Sequence, residues 1–168
     1  MYKVTFIGAG YVGLVNALGF ATRGAKVWVV DNNEKKIEDL KKGISPIYEK
    51  HIDSYINNES VKKNITYTTN LAYALDNTDI AFICVGTPQD EYGNADLTAV
   101  YAVAEAIARS ATRDLIVVTK STVPVGTTSM LCGIMSELTG LCTDIAVANN
   151  PEFLKEGCAF EDFNNPDR

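Results

Sequence analysis

A glycine-rich turn is the feature of this 168-residue sequence whose residue types and spacing most directly imply chemistry. It reads Gly-Ala-Gly-Tyr-Val-Gly, directly after an apolar, β-branched run at 3–8 and at the start of a helical apolar pattern at 11–22. Gly8 permits a tight turn, Gly10 lets a pyrophosphate approach the backbone, and Gly13 lets the helix pack closely on the strand. The helix N-terminus presents free N–H groups and a positive dipole end to phosphates. This context predicts a dinucleotide-binding turn.

An acidic residue at the end of the next strand completes the pattern. Asp31 closes the run 26–31, where its carboxylate can accept hydrogen bonds from the hydroxyls of the adenosine ribose. The same charge would repel a 2′-phosphate, which favours NAD over NADP. In the alternative interpretation the glycines serve only close packing and Asp31 only caps the next helix. Lys36 either assists at the ribose or belongs to a solvated helix face.

Two loops that follow later strands carry hydroxyl groups, and in an open α/β sheet such loops line the ligand crevice. Thr87 follows the predicted strand 79–85 and either contacts a nucleotide or belongs to a simple Gly-Thr-Pro turn. Thr122 follows the predicted strand 114–119 and could orient a water or a cofactor amide. From spacing alone, capping of the next helix by Thr127 is the preferred explanation of this second loop.

Two carboxylates follow the last predicted strand, at 144–149. Glu152 and Glu156 would share one face if this turn is helical. A carboxylate at the crevice could act as a general base or position a water. Spacing alone favours the other interpretation, an exposed turn with Lys155 as a salt-bridge partner.

Alternating strand and helix patterns must position these loops. Strands are predicted at 3–8, 26–31, 65–68, 79–85, 114–119 and 144–149, and helices at 11–22, 33–42, 51–58 (a weak pattern), 70–75, 97–111 and 128–138. Near-continuous apolar strands with intervening helices predict an α/β fold with a doubly wound, mostly parallel sheet of the Rossmann type. We expect one domain over residues 1–168, with a loop-like tail from about residue 150.

Composition and charge restrict the kinds of protein that this sequence can be. Apolar residues make up 46% and charged residues 21% of the chain, which is ordinary for a soluble globular domain. The net charge of −6 argues against a nucleic-acid binder, and no apolar run is long enough to span a bilayer. The glycine turn interrupts the apolar N-terminal stretch, so we reject a secretory signal and expect a cytoplasmic protein.

The cysteines and the single histidine predict no metal site. Cys84, Cys132, Cys142 and Cys158 form no CxxC pair and no zinc-ligand cluster, so reduced thiols are expected. We expect Cys84 to be buried in a strand. We expect Cys158 to be structural, because no neighbouring base or helix N-terminus is evident. His51 lies in a polar stretch and is expected at the surface.

Short motifs spread along essentially the whole chain together point to one protein family. They are GAGYVGL at 8–14, Asp31 with Lys36, SPIYE at 45–49, FICVGTP at 82–88, ADL at 95–97, KSTVPVGT at 120–127, NPEFLKEG at 150–157 and NPDR at 165–168. This set resembles the N-terminal, NAD-binding domain of the UDP-glucose/GDP-mannose dehydrogenase family, and KSTVPVGT is similar to its UDP-glucose branch. Lys50 and Lys155 stand where the family often has Pro and Arg, and neither departure threatens the assignment.

The resemblance implies oxidation of the C6 hydroxyl of a nucleotide sugar to a carboxylate with two NAD molecules, through an aldehyde and a cysteine-bound thioester. The residues that it implies in NAD binding are Gly8, Gly10, Tyr11, Val12, Gly13, Asp31, Lys36, Thr87, Thr122 and Glu156. It implies that Thr122 and Glu152 assist catalysis by holding water or as acid/base, with Glu156 near the nicotinamide. It also implies that the sugar site is lined by Glu152, Phe153, Leu154, Lys155 and Glu156.

The resemblance also implies parts that this sequence does not contain. In the family the nucleophilic cysteine, an active-site lysine, a central helix and the UDP-binding domain lie downstream. We therefore expect an inactive fragment that would meet a UDP-sugar through the missing domain, and a full-length homodimer that binds neither nucleic acid nor membrane. A GDP-mannose or other nucleotide-sugar dehydrogenase domain remains an alternative. So do a different dehydrogenase, against which KSTVPVGT argues, and a non-catalytic NAD-sensing module, which would not need NPEFLKEG.

Overall fold

Six parallel strands form the centre of the molecule in the computed structural model, which describes residues 2–140 and 143–166. The strands are β1 (Lys3–Ile7), β2 (Lys26–Val30), β3 (Ile65–Thr68), β4 (Ile80–Ile83), β5 (Leu115–Thr119) and β6 (Ile145–Asn149). Their order in the sheet is β3-β2-β1-β4-β5-β6, and every pairing is parallel. The prediction of a doubly wound, Rossmann-type sheet is confirmed.

Helices connect these strands and cover both faces of the sheet. They are α1 (Tyr11–Thr22), α2 (Glu34–Lys41), α3 (Ile52–Ile56), α4 (Glu59–Lys62), α5 (Leu71–Leu75), α6 (Thr98–Ser110), α7 (Thr127–Leu138) and α8 (Ala159–Asn164). The weak pattern at 51–58 is two short helices rather than one. The break occurs because the Asn58 side chain accepts the N–H groups of Ser60 and Val61 and so begins α4 as its N-cap. None of the helices in the described ranges has the length and apolarity that a membrane crossing requires.

The predicted loop-like tail is wrong in one respect, because it contains α8. This helix packs against α1 and α3 through aromatic contacts. The Phe160 ring stacks on Tyr55 with ring centroids 4.1 Å apart. The Phe163 ring lies 6.1 Å from the ring of Phe20 and directly over Gly19, where any Cβ would collide with it. Six residues are too few to show helical periodicity, so tertiary contacts decide this element.

The sheet buries one apolar cluster on each face. Phe6 and Phe82 stack on the face covered by α1, with ring centroids 4.8 Å apart. Ile83 and Leu131 belong to the cluster under α6 and α7. The strand order reverses between β1 and β4, so the loops leaving these two strands diverge at their carboxyl ends. A ligand crevice is expected at that switch point, and the predicted site residues all follow the ends of strands.

Candidate active site

The glycine turn after β1 combines tight packing with one open position. Gly8 has φ +106°, and a Cβ on it would stand 2.7 Å from the carbonyl oxygen of Cys84. A Cβ on Gly13 would collide with the carbonyl oxygen of Gly8. At Gly10, by contrast, no non-neighbouring atom of the described residues lies within 4 Å of the Cβ position. Gly10 is also the N-cap of α1, so the open space lies where the first N–H groups of that helix lack intrahelical partners. The turn therefore fits a phosphate group.

Asp31 directs its carboxylate at this turn. Its Oδ2 accepts the N–H of Ala9 at 2.8 Å and is 2.8 Å from Nζ of Lys36, while Oδ1 accepts the N–H of Asn33 at 3.0 Å. Burial alone would raise the pKa of Asp31, but Lys36 and the two backbone N–H groups lower it, so the carboxylate is ionised at neutral pH. Asn33, not Asp31, caps α2. The capping interpretation of Asp31 is therefore wrong, and Lys36 pairs with Asp31 instead of lying on a solvated face.

The loops after β4 and β5 meet beside the turn. The Thr87 hydroxyl donates to the carbonyl of Thr122 at 3.0 Å, which brings the two predicted threonines together. The Ser121 hydroxyl donates to the carbonyl of Val85 at 2.6 Å and fixes the two strand ends. The Thr122 side chain is left exposed at this edge. It is therefore available to a ligand in the crevice.

Thr127 does not cap α7, contrary to the alternative that spacing favoured. The cap is Gly126, whose φ of +93° places it in the left-handed region. Thr127 is the first helical residue, and its hydroxyl donates to the carbonyl of Pro124 at 2.8 Å. A glycine in this conformation starts the helix, so no side-chain acceptor is used there.

Glu152 lies in a buried polar cluster that the sequence did not predict. Its Oε2 is 3.0 Å from Nζ of Lys120 and 3.1 Å from Nδ2 of Asn16 on α1. The Lys120 ammonium also donates to Oδ1 of Asn150 at 3.1 Å. The Lys120 and Glu152 side chains are only 10% and 11% exposed. The strand-end segments after β5 and β6 are thus joined to the helix that follows the glycine turn.

The ionisation of Glu152 follows from these contacts. Burial alone would raise the pKa of Glu152, but the hydrogen bond and charge of Lys120, the N–H of Phe153 and the amide of Asn16 lower it. Its Oε1 accepts the N–H groups of Phe153 at 2.7 Å and Leu154 at 2.9 Å. The group is therefore a carboxylate at neutral pH, suited to accept a hydrogen bond or a proton.

Glu156 occupies a different environment from Glu152. The two do not share a helical face, because the chain from Asn150 to Lys155 is irregular and turns at Gly157, whose φ is +87°. Glu156 is exposed. Desolvation, followed by the charge of Glu156, raises the pKa of Tyr11 in the glycine turn. The turn is not helical, so the condition under which Glu152 and Glu156 would share one face is not met.

The remaining residues of the predicted sugar segment differ in their surroundings. Phe153 is 55% exposed, whereas Leu154 packs against the core cluster under α1. Lys155 pairs with Asp162 of α8, through its N–H at 2.8 Å and its Nζ at 3.9 Å, and with neither glutamate. The segment borders a cleft of about 660 Å³, lined by Asn16, Lys120, Asn150, Pro151, Glu152, Phe153, Leu154, Lys155, Asp162, Phe163 and Pro166.

The site residues that sequence reasoning missed are Lys120, Asn16 and Asn150. Lys120 and Asn150 each directly follow a strand, so the topology that placed Thr122 at the crevice could also have found them. Asn16 is a buried amide in an otherwise apolar helix, which is itself a signal.

The thiols and the histidine take little part in this arrangement. Cys84 is buried just after β4, and burial strongly raises the pKa of its thiol. Cys132 and Cys158 are free and exposed, and Cys142 lies outside the described residues. Cys158 is the N-cap of α8, so the expectation of no helix N-terminus beside it is wrong. His51 is exposed, as predicted. No group of metal-binding side chains occurs within 2–140 and 143–166.

Comparison with known proteins agrees with this geometry. Residues 2–168 match the family model described as the UDP-glucose/GDP-mannose dehydrogenase family, NAD binding domain. The UDP-glucose 6-dehydrogenase of Rhizobium meliloti is 47% identical over 99% of this chain and 38% of its own length. The UDP-glucose 6-dehydrogenase YwqF of Bacillus subtilis is 41% identical over 99% of this chain and 38% of its own length.

Solved structures give the same result. A UDP-glucose dehydrogenase from Pyrobaculum islandicum superposes with a TM-score of 0.94 at 40% identity, covering 100% of this chain and 40% of that one. A GDP-mannose dehydrogenase from Pseudomonas aeruginosa, solved as a ternary complex, gives a TM-score of 0.91 at 32% identity over 98% of this chain and 39% of that one. The chain thus spans about two fifths of the length of these relatives. Because the family model extends over nearly every residue, the chain belongs to the UDP-glucose/GDP-mannose dehydrogenase family and is an NAD-binding domain of that family.

Proposed function

We propose that this chain is the NAD-binding part of a UDP-glucose 6-dehydrogenase, a cytoplasmic enzyme that oxidises UDP-glucose to UDP-glucuronate with two NAD molecules. One observation carries the proposal. Asn16, on the helix that starts at the glycine turn, donates to Glu152 at 3.1 Å. This contact ties the cofactor-binding turn to the NPEFLKEG segment, which an NAD sensor without chemistry would not need.

On the cofactor side, the open position at Gly10 and the N–H groups of Tyr11 and Val12 would hold the pyrophosphate. Asp31, paired with Lys36, would accept the ribose hydroxyls and disfavour a 2′-phosphate. When bound, NAD supplies the hydride acceptor. The protein's contribution here is orientation, and a rigid turn on a buried strand provides it.

On the reacting side, three residues have distinct roles. Glu152 is ionised and would accept a proton or hold a water near the sugar C6 hydroxyl. Thr122 would offer its exposed hydroxyl to that water or to the cofactor amide. Glu156 would lie beside the nicotinamide, and its charge contributes, after desolvation, to the raised pKa of Tyr11 in the glycine turn. Phe153, Leu154 and Lys155 would line the sugar, beside the cleft described above.

Among the residues that the structure describes, none is suited to the chemistry beyond the first steps. A thioester needs an activated cysteine, and Cys84 is buried with a raised pKa, while neither Cys132 nor Cys158 stands among the residues that line the cleft. We propose that the 168-residue chain alone binds NAD without sustained turnover. The full-length protein would add the nucleophile and the UDP-binding domain, and would form a homodimer.

Calorimetry and absorbance test both parts of this proposal. Titration of the chain with NAD and with NADP is expected to show tighter binding of NAD, and tighter binding of NADP would contradict the assigned role of Asp31. NADH absorbance is then followed with NAD and either UDP-glucose or GDP-mannose at millimolar concentration. Sustained turnover by the chain alone would contradict the fragment hypothesis, and its loss in Cys158→Ala would identify that thiol as the nucleophile.

Catalytic competence of the domain is tested in a chimera. Residues 1–168 replace the matching part of the Rhizobium meliloti relative, with the parent enzyme measured in parallel. We expect the chimera to form NADH from UDP-glucose, because the glycine turn and the segment 150–157 would supply the cofactor and reacting sides. The same chimera carrying Gly10→Val is the matched inactive control. A folded chimera that forms no NADH from UDP-glucose, beside an active parent, would contradict the proposed function.

A further inference from the structure

We propose that Glu49 is a positioning residue for the segment 150–157, an inference that rests on the function proposed above. Glu49 belongs to the SPIYE motif, and the residue is buried, with 4% of its surface exposed. Its Oε2 accepts the N–H of Gly157 at 2.8 Å, and its Oε1 accepts the N–H of Ala159 at 3.1 Å. Both oxygens of one buried carboxylate thus hold backbone that lies 108 and 110 residues further along the chain.

The burial of Glu49 depends on these two bonds. Among the salt bridges of the described residues, none includes Glu49. A buried carboxylate without a cation is tolerated only if its oxygens accept hydrogen bonds, and here the N–H groups of Gly157 and Ala159 supply them. Because the carboxylate and the segment satisfy each other, displacing either one leaves buried polar groups unpaired.

Glu49 is itself held by a fixed platform. Tyr55, on the helix just after the SPIYE motif, stacks on Phe160 of α8. Ile47 packs against the core cluster under α1. The Tyr11 hydroxyl donates to the carbonyl of Tyr48, so the platform also contacts the glycine turn.

The segment is therefore fixed at both of its ends. Lys120 and Asn16 hold it at Glu152, and Glu49 holds it at Gly157. Glu156 lies directly before the second anchor. Loss of that anchor would displace Glu156 and weaken the contacts that hold the Glu152 carboxylate. Glu49 therefore influences the reaction only by positioning Glu152 and Glu156.

Amide exchange by NMR on the 168-residue chain tests the first consequence. Glu49→Gln keeps the shape of the side chain but replaces one acceptor oxygen with an NH₂ group. We expect the amides of Gly157 and Ala159 to exchange about tenfold faster, as for the loss of one hydrogen bond, with a smaller acceleration at Leu154. Amides of β1 and β5 are expected to be unchanged. Unchanged exchange at Gly157 and Ala159 would overturn the proposal.

A second measurement separates positioning from simple support of α8. The ¹³C carboxyl titration of Glu152 is expected to lie below the ordinary glutamate range in the unaltered chain. In Glu49→Gln it should move upward, because the segment loosens from Lys120. Glu161→Gln, which removes an exposed charge from α8 itself, is the matched control and should leave the titration unchanged. Faster exchange at Ala159 with an unchanged Glu152 titration in Glu49→Gln would overturn the proposal.

A second variant, Glu49→Asp, and NAD binding by the unaltered chain complete the test. If Glu49→Gln does not fold, Glu49→Asp replaces it, since it keeps both acceptor oxygens with a shorter reach and should give the same pattern in weaker form. A Glu152 titration that does not move in that variant would overturn the proposal. Neither readout uses NAD or a sugar. Failure of the unaltered chain to bind NAD would therefore contradict the proposed function and leave the result for Glu49 standing.

Discussion

The glycine turn and the segment 150–157 both follow the carboxyl ends of strands, but they are stabilised in different ways. The turn is made of backbone packed on backbone within a few neighbouring residues and against Cys84. The segment has no regular structure and is held by side chains that are remote in sequence, chiefly Lys120, Asn16 and Glu49. The conformation of the glycine turn is specified by local steric contacts. The conformation of the segment 150–157 depends on several separate polar contacts, and the loss of any one of them would loosen it.

The largest expected effect is a loss of cofactor binding at the glycine turn with little change in the stability of the fold. Gly10→Val should abolish NAD binding measured by calorimetry, because its side chain would fill the open position where the pyrophosphate must approach. Thermal unfolding should change little, since no other described residue lies near that Cβ position. Gly13→Ala is the contrasting variant. Its Cβ meets the Gly8 carbonyl, so it should destabilise the fold by about 1–3 kcal/mol or more. Retained NAD affinity in folded Gly10→Val would show that the phosphates bind elsewhere.

The corresponding change in the second region targets its buried ion pair. Lys120→Met removes the cation and leaves the Glu152 carboxylate buried, so we expect a loss of about 3–5 kcal/mol in the free energy of unfolding at neutral pH. Lys62→Met breaks the exposed pair with Glu59 and should cost no more than about 1 kcal/mol. Urea denaturation compares the two variants. Equal and small losses would mean that the buried pair does not hold the segment.

A smaller effect is expected on cofactor affinity when the Asp31 carboxylate beside the glycine turn is removed. Asp31→Ala should weaken NAD binding by about 1–3 kcal/mol, the range for leaving a polar partner unsatisfied. NADP binding should weaken less, since the charge that repels the 2′-phosphate is also removed. Glu38→Ala, an exposed position on the neighbouring α2, is the control for net charge. Binding is measured by calorimetry with both cofactors, and an equal loss of affinity for NAD and NADP would contradict the specificity role of Asp31.

The smallest expected effect is a pH dependence shared by both regions. Asp31 and Glu152 have pKa values below their ordinary range, so each stabilises the fold above its unfolded-state pKa, and that stability is lost as pH falls through the folded-state pKa. The melting temperature should therefore be nearly flat near neutrality and fall below about pH 4. In Lys120→Met the fall should be shallower, because the pKa of Glu152 is no longer lowered. An equally steep fall would assign the dependence to other carboxylates.

The difference between the regions also explains what could be predicted from the sequence. The strands, the glycine turn and Asp31 follow from patterns within short windows, and their positions are confirmed. The spacing of Glu152 and Glu156 would place them on one face only in a helical turn, and the hydrogen bonds of Glu152 and the left-handed Gly157 impose an irregular path instead. The contact of Glu49 with Gly157 spans 108 residues, and no local rule carries information over that separation.

The position of Asn16 on α1 has one further consequence. Asn16 donates both to the carbonyl of Val12, at 2.7 Å, and to Glu152, at 3.1 Å, so its direction is set by the rotation of the helix that starts at Gly10. Consecutive helical residues are rotated by about 100° about the axis. One residue inserted between Gly13 and Asn16 would leave the glycine turn intact and point the amide away from the carboxylate. The first helix thus serves as a spacer of fixed length and phase, which makes it intolerant of insertions and deletions that the surface loops would accept.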